Sequence, residues 1–193
     1  MMYQPQPPWP RRQFLRTLVL LGGLTACQPS QPPAPVTLIR PRTLAQTPSL
    51  PPPHDPVVLS VTGRIGVTNR ADRLDLDLTT LEQLALYAYT TYDAGIRRRA
   101  AYQGVLLSDV LQLAGMAADA TTLQASALND YVTDIPLTAL QWPVMLATFR
   151  DGQRMPIAEK GPIEIVFPAD SFAIDPAVWD PKWVWMLRTL DVR

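Results

Sequence analysis

Residues 142–168 read Trp-Pro-Val-Met-Leu-Ala-Thr-Phe-Arg-Asp-Gly-Gln-Arg-Met-Pro-Ile-Ala-Glu-Lys-Gly-Pro-Ile-Glu-Ile-Val-Phe-Pro, and their pattern decides the fold. Val144 to Phe149 is a short apolar run suited to a buried strand. Asp151-Gly152 follows as a hairpin signal, because a tight primed turn needs positive φ at its centre. Gln153 to Ile157 returns briefly and is cut by Pro156. Proline has no N–H for a ladder, so the return is an edge or a strand end. Ile163, Ile165 and Phe167 alternate with Glu164 and Val166, which predicts a third strand. Two of these strands read as well buried, so the rest of the chain must cover them.

Upstream, Val57 to Val67 predicts a first strand, with Gly63 and Gly66 marking a bulge or sharp twist. Arg73 to Thr79 alternates, with Leu74, Leu76 and Leu78 inward and Asp75 and Asp77 on a solvated outer face. Thr79-Thr-Leu-Glu82 is a capping-box pattern that predicts a helix to about Tyr87. Tyr89 to Tyr102 is polar, aromatic and irregular, and reads as a loop or a short strand. Its Arg97, Arg98 and Arg99 suit either a bound anion such as phosphate or a solvated basic turn. From Gly104 to Gly115, Leu106, Leu107, Val110, Leu111 and Ala114 fall on one helical stripe, and Gly115 is a good C-terminal stop.

Thr121 to Ala127 alternates as a strand, Val132 to Ile135 extends it, and Leu137 to Gln141 suits one helical turn. Near the end, Trp183, Trp185, Leu187 and Thr189 share one side of a strand running to Leu190. Its indoles either line a ligand slot or fill a core as the strand closes the sheet.

Composition excludes several classes of function. At 193 residues the chain suits one domain of ordinary size. Its 17 basic and 17 acidic side chains balance, and no basic block is long enough to suggest nucleic acid. Cys27 is the single cysteine and His54 the single histidine. A disulfide within the chain and a Cys/His zinc cluster are therefore excluded. Any nucleophile–histidine arrangement would have to use His54, which stands among prolines outside the expected core.

The first 27 residues read as an export leader. A basic region containing Arg11, Arg12 and Arg16 precedes an apolar run from Leu18 to Ala26, too short to span a bilayer. Arg11-Arg12-Gln-Phe14-Leu15-Arg16 resembles the twin-arginine export motif, and Leu24-Thr25-Ala26-Cys27 resembles a lipobox, whose cysteine is lipidated. A general secretory signal with a chance arginine pair is the plainer reading of the first, and an incidental thiol of the second. Lipidation at Cys27 would hold the protein at a membrane facing the periplasm or cell exterior. Residues 28–56 contain ten prolines and few large apolar side chains, and read as a semi-rigid spacer that includes a solvated His54. The folded domain is then expected over residues 57–193.

Residues 57–193 resemble the oxidoreductase molybdopterin-binding family, the catalytic domain type of sulfite oxidases and of bacterial exported methionine-sulfoxide reductases. The resemblance is carried by Tyr102-Gln-Gly-Val-Leu-Leu-Ser-Asp-Val-Leu111, by Asn129-Asp-Tyr131 through Ile135-Pro136-Leu137, and by Met145-Leu-Ala147 with Asp151-Gly152. Gly161-Pro-Ile-Glu-Ile-Val-Phe-Pro168 and Lys182-Trp-Val-Trp-Met-Leu-Arg-Thr-Leu-Asp-Val192 complete it. It implies a compact α+β domain with a mixed β-sheet and a few short helices, and molybdopterin as a cofactor by resemblance only.

The sequence departs from the family pattern at three places. Working members place a molybdenum-ligating cysteine between the first helix and the Gly-Val-Leu element, whereas Tyr89 to Tyr102 has none. Asn129-Asp130-Tyr131 stands where Asp-Gly-Tyr is common, and Glu164 where an arginine is frequent. No Cys-ligated molybdenum is expected.

Two readings of function follow. The first is an exported, membrane-anchored, non-redox member that binds a small anionic ligand or a periplasmic protein partner. Tyr92, Arg97, Arg98, Arg99, Asn129, Tyr131 and Lys160 are its candidate lining residues. A purely structural partner domain is not separable from it on sequence. The second is a molybdopterin-dependent periplasmic oxidoreductase in which oxygen ligands replace the cysteine.

Overall fold

Asp151 and Gly152 both take positive φ, 52° and 76°, as the turn chemistry requires. They join a strand at Met145–Arg150 (β8 in chain order) to a two-residue return at Gln153–Arg154 (β9) that stops before Pro156. The structure is a computed structural model that describes residues 36–44 and 50–193. The expected leader and Cys27 lie outside the described residues.

The strands form two sheets. Thr37–Arg40 (β1), Leu86–Asp93 (β4), Arg98–Leu106 (β5), β8 and Glu164–Val166 (β10) lie side by side in that order, with β9 on β8. Leu74–Asp77 (β3), Val57–Gly63 (β2), Leu187–Val192 (β11), Thr122–Ala127 (β6) and Val132–Pro136 (β7) form the second sheet in that order. Every pairing is antiparallel except β11 with β2, which makes the second sheet mixed. Three short α-helices, Leu78–Glu82 (α1), Leu107–Leu113 (α2) and Pro176–Trp179 (α3), complete an α+β domain. None of the described helices is long and apolar enough to cross a membrane.

Alternation sorts the side chains. Leu59 and Val61, Leu74 and Leu76, Leu123 and Ala125, and Leu190 and Val192 turn inward from the second sheet. They meet Leu107, Val110 and Leu111 of α2, and Val105, Leu146 and Ile165 of the first sheet. Each fully buried leucine or valine contributes about 1.5–3 kcal/mol. The helical stripe is thus real, but α2 begins at Leu107, and Gly104–Leu106 finish β5. Gly115, at φ 64°, follows the helix in the left-handed conformation that suits glycine. The opposite face of the first sheet carries a second, smaller cluster of Tyr89, Tyr102, Met145, Ala147, Met155 and Val166.

Several expectations are corrected. Asp77, not Thr79, caps α1, its Oδ1 accepting the Thr80 N–H at 2.7 Å. Glu82 leaves the proposed capping box for Thr148 and Arg154. The chain after α1 does not continue as helix to Tyr87 but enters β4. Tyr89 to Tyr102 is neither loop nor short strand; it is most of a long β4–β5 hairpin. Tyrosine and threonine are strong strand formers, and Tyr89, Thr91 and Asp93 turn inward at period two.

Asp75 and Asp77 are not on a solvated face: both are buried, at 1% and 2% exposure. Asp75 accepts hydrogen bonds from Ser60 at 2.6 Å and Arg73 at 2.9 and 3.0 Å. Asp77 Oδ2 accepts the backbone N–H groups of His54 and Asp55 at 3.1 and 3.2 Å. The described parts of the expected spacer are therefore built into the domain. Thr37–Arg40 is an edge strand, Leu50 is buried in the main core, and exposed His54 is tied down through its backbone.

The expected strand over residues 183–190 shifts to Leu187–Val192. Met186 takes a φ of 54° and the β11–β6 register slips between Leu187 and Thr189, so both Leu187 and Leu190 reach the core. Trp183 and Trp185 lie in the turn before it.

Candidate functional site

The β4–β5 hairpin sets the floor of the site. Asp93 ends β4 with a carboxylate only 1% exposed. Its Oδ1 accepts the backbone N–H groups of Gly95 and Ile96 at 2.7 and 3.3 Å, which folds the turn. Its Oδ2 accepts the phenol of buried Tyr102 at 2.6 Å. Burial, and then the charges of Glu164 and Asp93, push the Tyr102 hydroxyl well above its ordinary range.

Gly95 explains the close approach of the C-terminal turn. A Cβ there would lie 2.3 Å from Trp185 Cζ2, 3.0 Å from Lys160 Nζ and 3.1 Å from Asp93 Oδ1. Only a residue without a side chain lets the indole sit against this hairpin. Lys160 Nζ lies 3.4 Å from the centroid of the Trp185 ring, a cation–π contact inside the protein. Burial lowers the Lys160 pKa, against the opposing pull of Asp93 and Glu164.

Beside this group, β10 brings Glu164 into the interior with no exposure. Its Oε2 is 3.9 Å from Arg150 Nη1. Neither Glu164 oxygen makes a hydrogen bond, and neither do Arg150 Nη1, Lys160 Nζ and Trp185 Nε1. Burial first, and then the charge of Asp93, pushes the Glu164 carboxyl up to about 8, although Lys160 and Arg150 favour its charged form. A buried carboxyl so poorly satisfied is an expensive feature to keep.

Above this polar floor is a two-lobed cleft whose lobes share Asp180, Trp183 and Trp185. One lobe, about 260 Å³, adds Asn129, Tyr131 and Pro181. The other, about 280 Å³, adds Asp93, Ala94 and Gly95. Tyr131 is held by its phenol donating to the Pro181 carbonyl and by its N–H donating to Asn129 Oδ1 at 3.3 Å. Trp183 meets Tyr102 edge-on at 6.4 Å between ring centroids. Burial, then Asp93 and Asp175, raises the Asp180 carboxyl.

The expected site residues divide into three groups. Asn129 and Tyr131 line the cleft, and Lys160 lies against its Trp185 wall. Arg98 and Arg99 pair with Asp151 and Asp170 at 2.7 and 2.9 Å on the exposed hairpin. Arg97 occupies the left-handed position of the hairpin turn, φ 57°, and exposed Tyr92 donates its N–H to Asp170 at 2.8 Å. None of these last four lines either lobe.

Asp93, Arg150 and Asp180 were not among the expected site residues. Asp93-Ala-Gly95 at the end of a Tyr/Thr-rich run was the available signal, being the start of a tight turn. Nothing local marks Arg150 or Asp180. Trp183 packs on Phe167 and Tyr102, and both indoles wall the cleft.

None of the curated proteins matches this sequence. Among solved structures, the chain is similar to the sulfane dehydrogenase SoxCD from Paracoccus pantotrophus, with a TM-score of 0.54 and 20% identity. The match covers 69% of this chain and 37% of that one, so this chain spans well under half the length of its structural neighbour. At that identity the likeness establishes the fold alone. Residues 75–191 match the model of the oxidoreductase molybdopterin binding domain, and with more than half of its length matched the chain belongs to that family.

Proposed function

We propose that this is a non-redox member of the family, an exported domain anchored to a membrane through a lipidated Cys27, which binds a small ligand or a protein partner in the Trp183–Trp185 cleft. The observation that carries the reading is the hairpin end at Asp93. This carboxylate faces one lobe, but three donors already engage it, and Trp185 packs against the adjoining Gly95.

The family's cofactor brings molybdenum on a pterin dithiolene, which is suited to a soft protein thiolate. The residues present do not fit that requirement. The described residues contain no cysteine, and no group of three or more His, Cys, Asp or Glu side chains among them converges on a metal-sized site. A hard carboxylate that already accepts three hydrogen bonds is a poor replacement for a soft donor. Glu164 supplies an acid where the resemblance implies a base suited to an anionic pterin phosphate.

A second reading, oxygen ligation of molybdenum by Asp93, has one observation in its favour: that carboxylate lines the cleft. Metal and pterin content of the full-length protein, purified from membranes of cells that load other molybdenum enzymes, separates the two. The non-redox reading expects neither in stoichiometric amount. One molybdenum and one pterin per chain would overturn it. The anchor has its own measurement: Cys27→Ser should move the protein from the membrane to the soluble fraction.

A further inference from the structure

We propose that the two-lobed cleft binds a small organic cation, an alkylated ammonium group, held between the Trp183, Trp185 and Tyr131 rings with its charge beside Asp180. This deepens the ligand-binding reading above and rests on it.

Size limits the ligand first. Lobes of about 260 and 280 Å³ sit just below the range of about 300–1,000 Å³ common for small-molecule sites. The walls then select its chemistry. Trp183, Trp185 and Asp180 line both lobes and Tyr131 adds a third ring to the first, and aromatic faces attract cations through their quadrupole. Trp185 already does so within the protein, holding Lys160 Nζ 3.4 Å from its ring centroid.

Charge complementarity points the same way. Asp180 lines both lobes and makes no ion pair among the described residues. Asp93 lines the second lobe, and the negative charges of Asp93 and Asp175 both act on Asp180. The nearby cations are already engaged. Lys160 lies on Trp185, Arg150 is beside Glu164, and Lys182 donates to the Asp134 carbonyl at 2.7 Å. An anion entering the cleft would meet carboxylates, while Arg98 and Arg99 are paired elsewhere. The expected anionic ligand is thus the less suited one.

The test titrates the full-length protein with choline and with its neutral tert-butyl isostere, following tryptophan fluorescence at constant ionic strength. The expected result is saturable quenching by choline, at least about tenfold tighter than by the isostere. Asp180→Asn, at an exposed position, should weaken choline about tenfold and leave the isostere unchanged. Trp185→Phe should weaken both, with circular dichroism confirming that the variant folds.

Equal affinity for choline and its isostere, or no saturation by choline, would overturn the cation proposal. Saturation by the isostere or by inorganic phosphate alone would do so while leaving a ligand-binding domain standing. Stoichiometric molybdenum would remove the non-redox reading itself, whatever choline does.

Discussion

Strands β3 and β10 of this domain both bury carboxylates, and they treat them in opposite ways. On the second sheet, Asp75 and Asp77 are almost fully enclosed, and each has a set of donors. On the first sheet, Glu164 is just as enclosed, but neither oxygen has a hydrogen bond and its nearest cation stands 3.9 Å away. For Asp77, burial raises the pKa but the bonds from Thr80, Asp55 and His54 outweigh it, holding the carboxyl below the usual range. For Glu164, burial prevails. The first arrangement is architecture: it caps a helix and staples residues 54–55 to a strand. The second favours folding only when the acid is neutral, and it lies beneath the cleft.

The largest effect should come from Glu164→Gln. Glu164 has a folded pKa of about 8 against an unfolded value of about 4.5, so its full stability is present below about 4.5 and is lost as pH rises toward 8. The variant should therefore match wild type near pH 4.5 and exceed it above pH 8 by on the order of 4 kcal/mol, checked by urea unfolding across that range. A pH-independent difference would break the contrast between the regions.

Asp77→Ala should destabilise by about 2 kcal/mol at neutral pH, since it removes a helix cap and leaves two further N–H groups without their partner. Its pH dependence has the opposite sign. The folded pKa lies below the unfolded one, so the wild-type advantage is present above the unfolded value and fades as pH falls through the folded one. Thermal melts of both proteins between about pH 3 and 7 would show the curves converging in acid.

Gly95→Ala should cost about 1–3 kcal/mol by overpacking against Trp185, and should red-shift tryptophan emission as the indole is displaced. The smallest effect belongs to the hairpin cations. Arg98→Ala breaks an exposed pair with Asp151 and should leave the melting midpoint unchanged within error. A clear loss there would show that the basic turn does more than remain soluble.

The centre of the fold was legible because local chemistry and tertiary demand agree there. Asp151-Gly152 can hardly be anything but a turn, and Ile163 to Phe167 has period two with nothing to interrupt it. Leu107, Val110 and Leu111 likewise share a stripe that only a helix brings together. The β4–β5 hairpin was harder, since its inward positions include Thr91 and Asp93, which read as polar until their partners arrive, the Phe167 carbonyl just after β10 and Tyr102 from β5. Asp75 and Asp77 misled for the same reason: charge alone does not reveal that Ser60, Arg73 and the backbone at 54–55 will meet it.

In the site, Asn129 and Tyr131 stand within the family pattern, and Lys160 stands just before one of its pieces; the first two line the cleft and the third lies on its Trp185 wall. The convergence of Glu164, Arg150 and Trp185 was not. It depends on the register of β8 with β10 and on a left-handed kink at Met186, and neither is written in any short stretch.

Strand β1 begins at Thr37, only ten positions beyond Cys27. If a lipid is attached there, as proposed, the leash can extend at most about 35 Å. The body would then hover within roughly its own diameter of the bilayer. The cleft would sample molecules released at, or drifting along, the membrane face, and would have little reach into the open compartment.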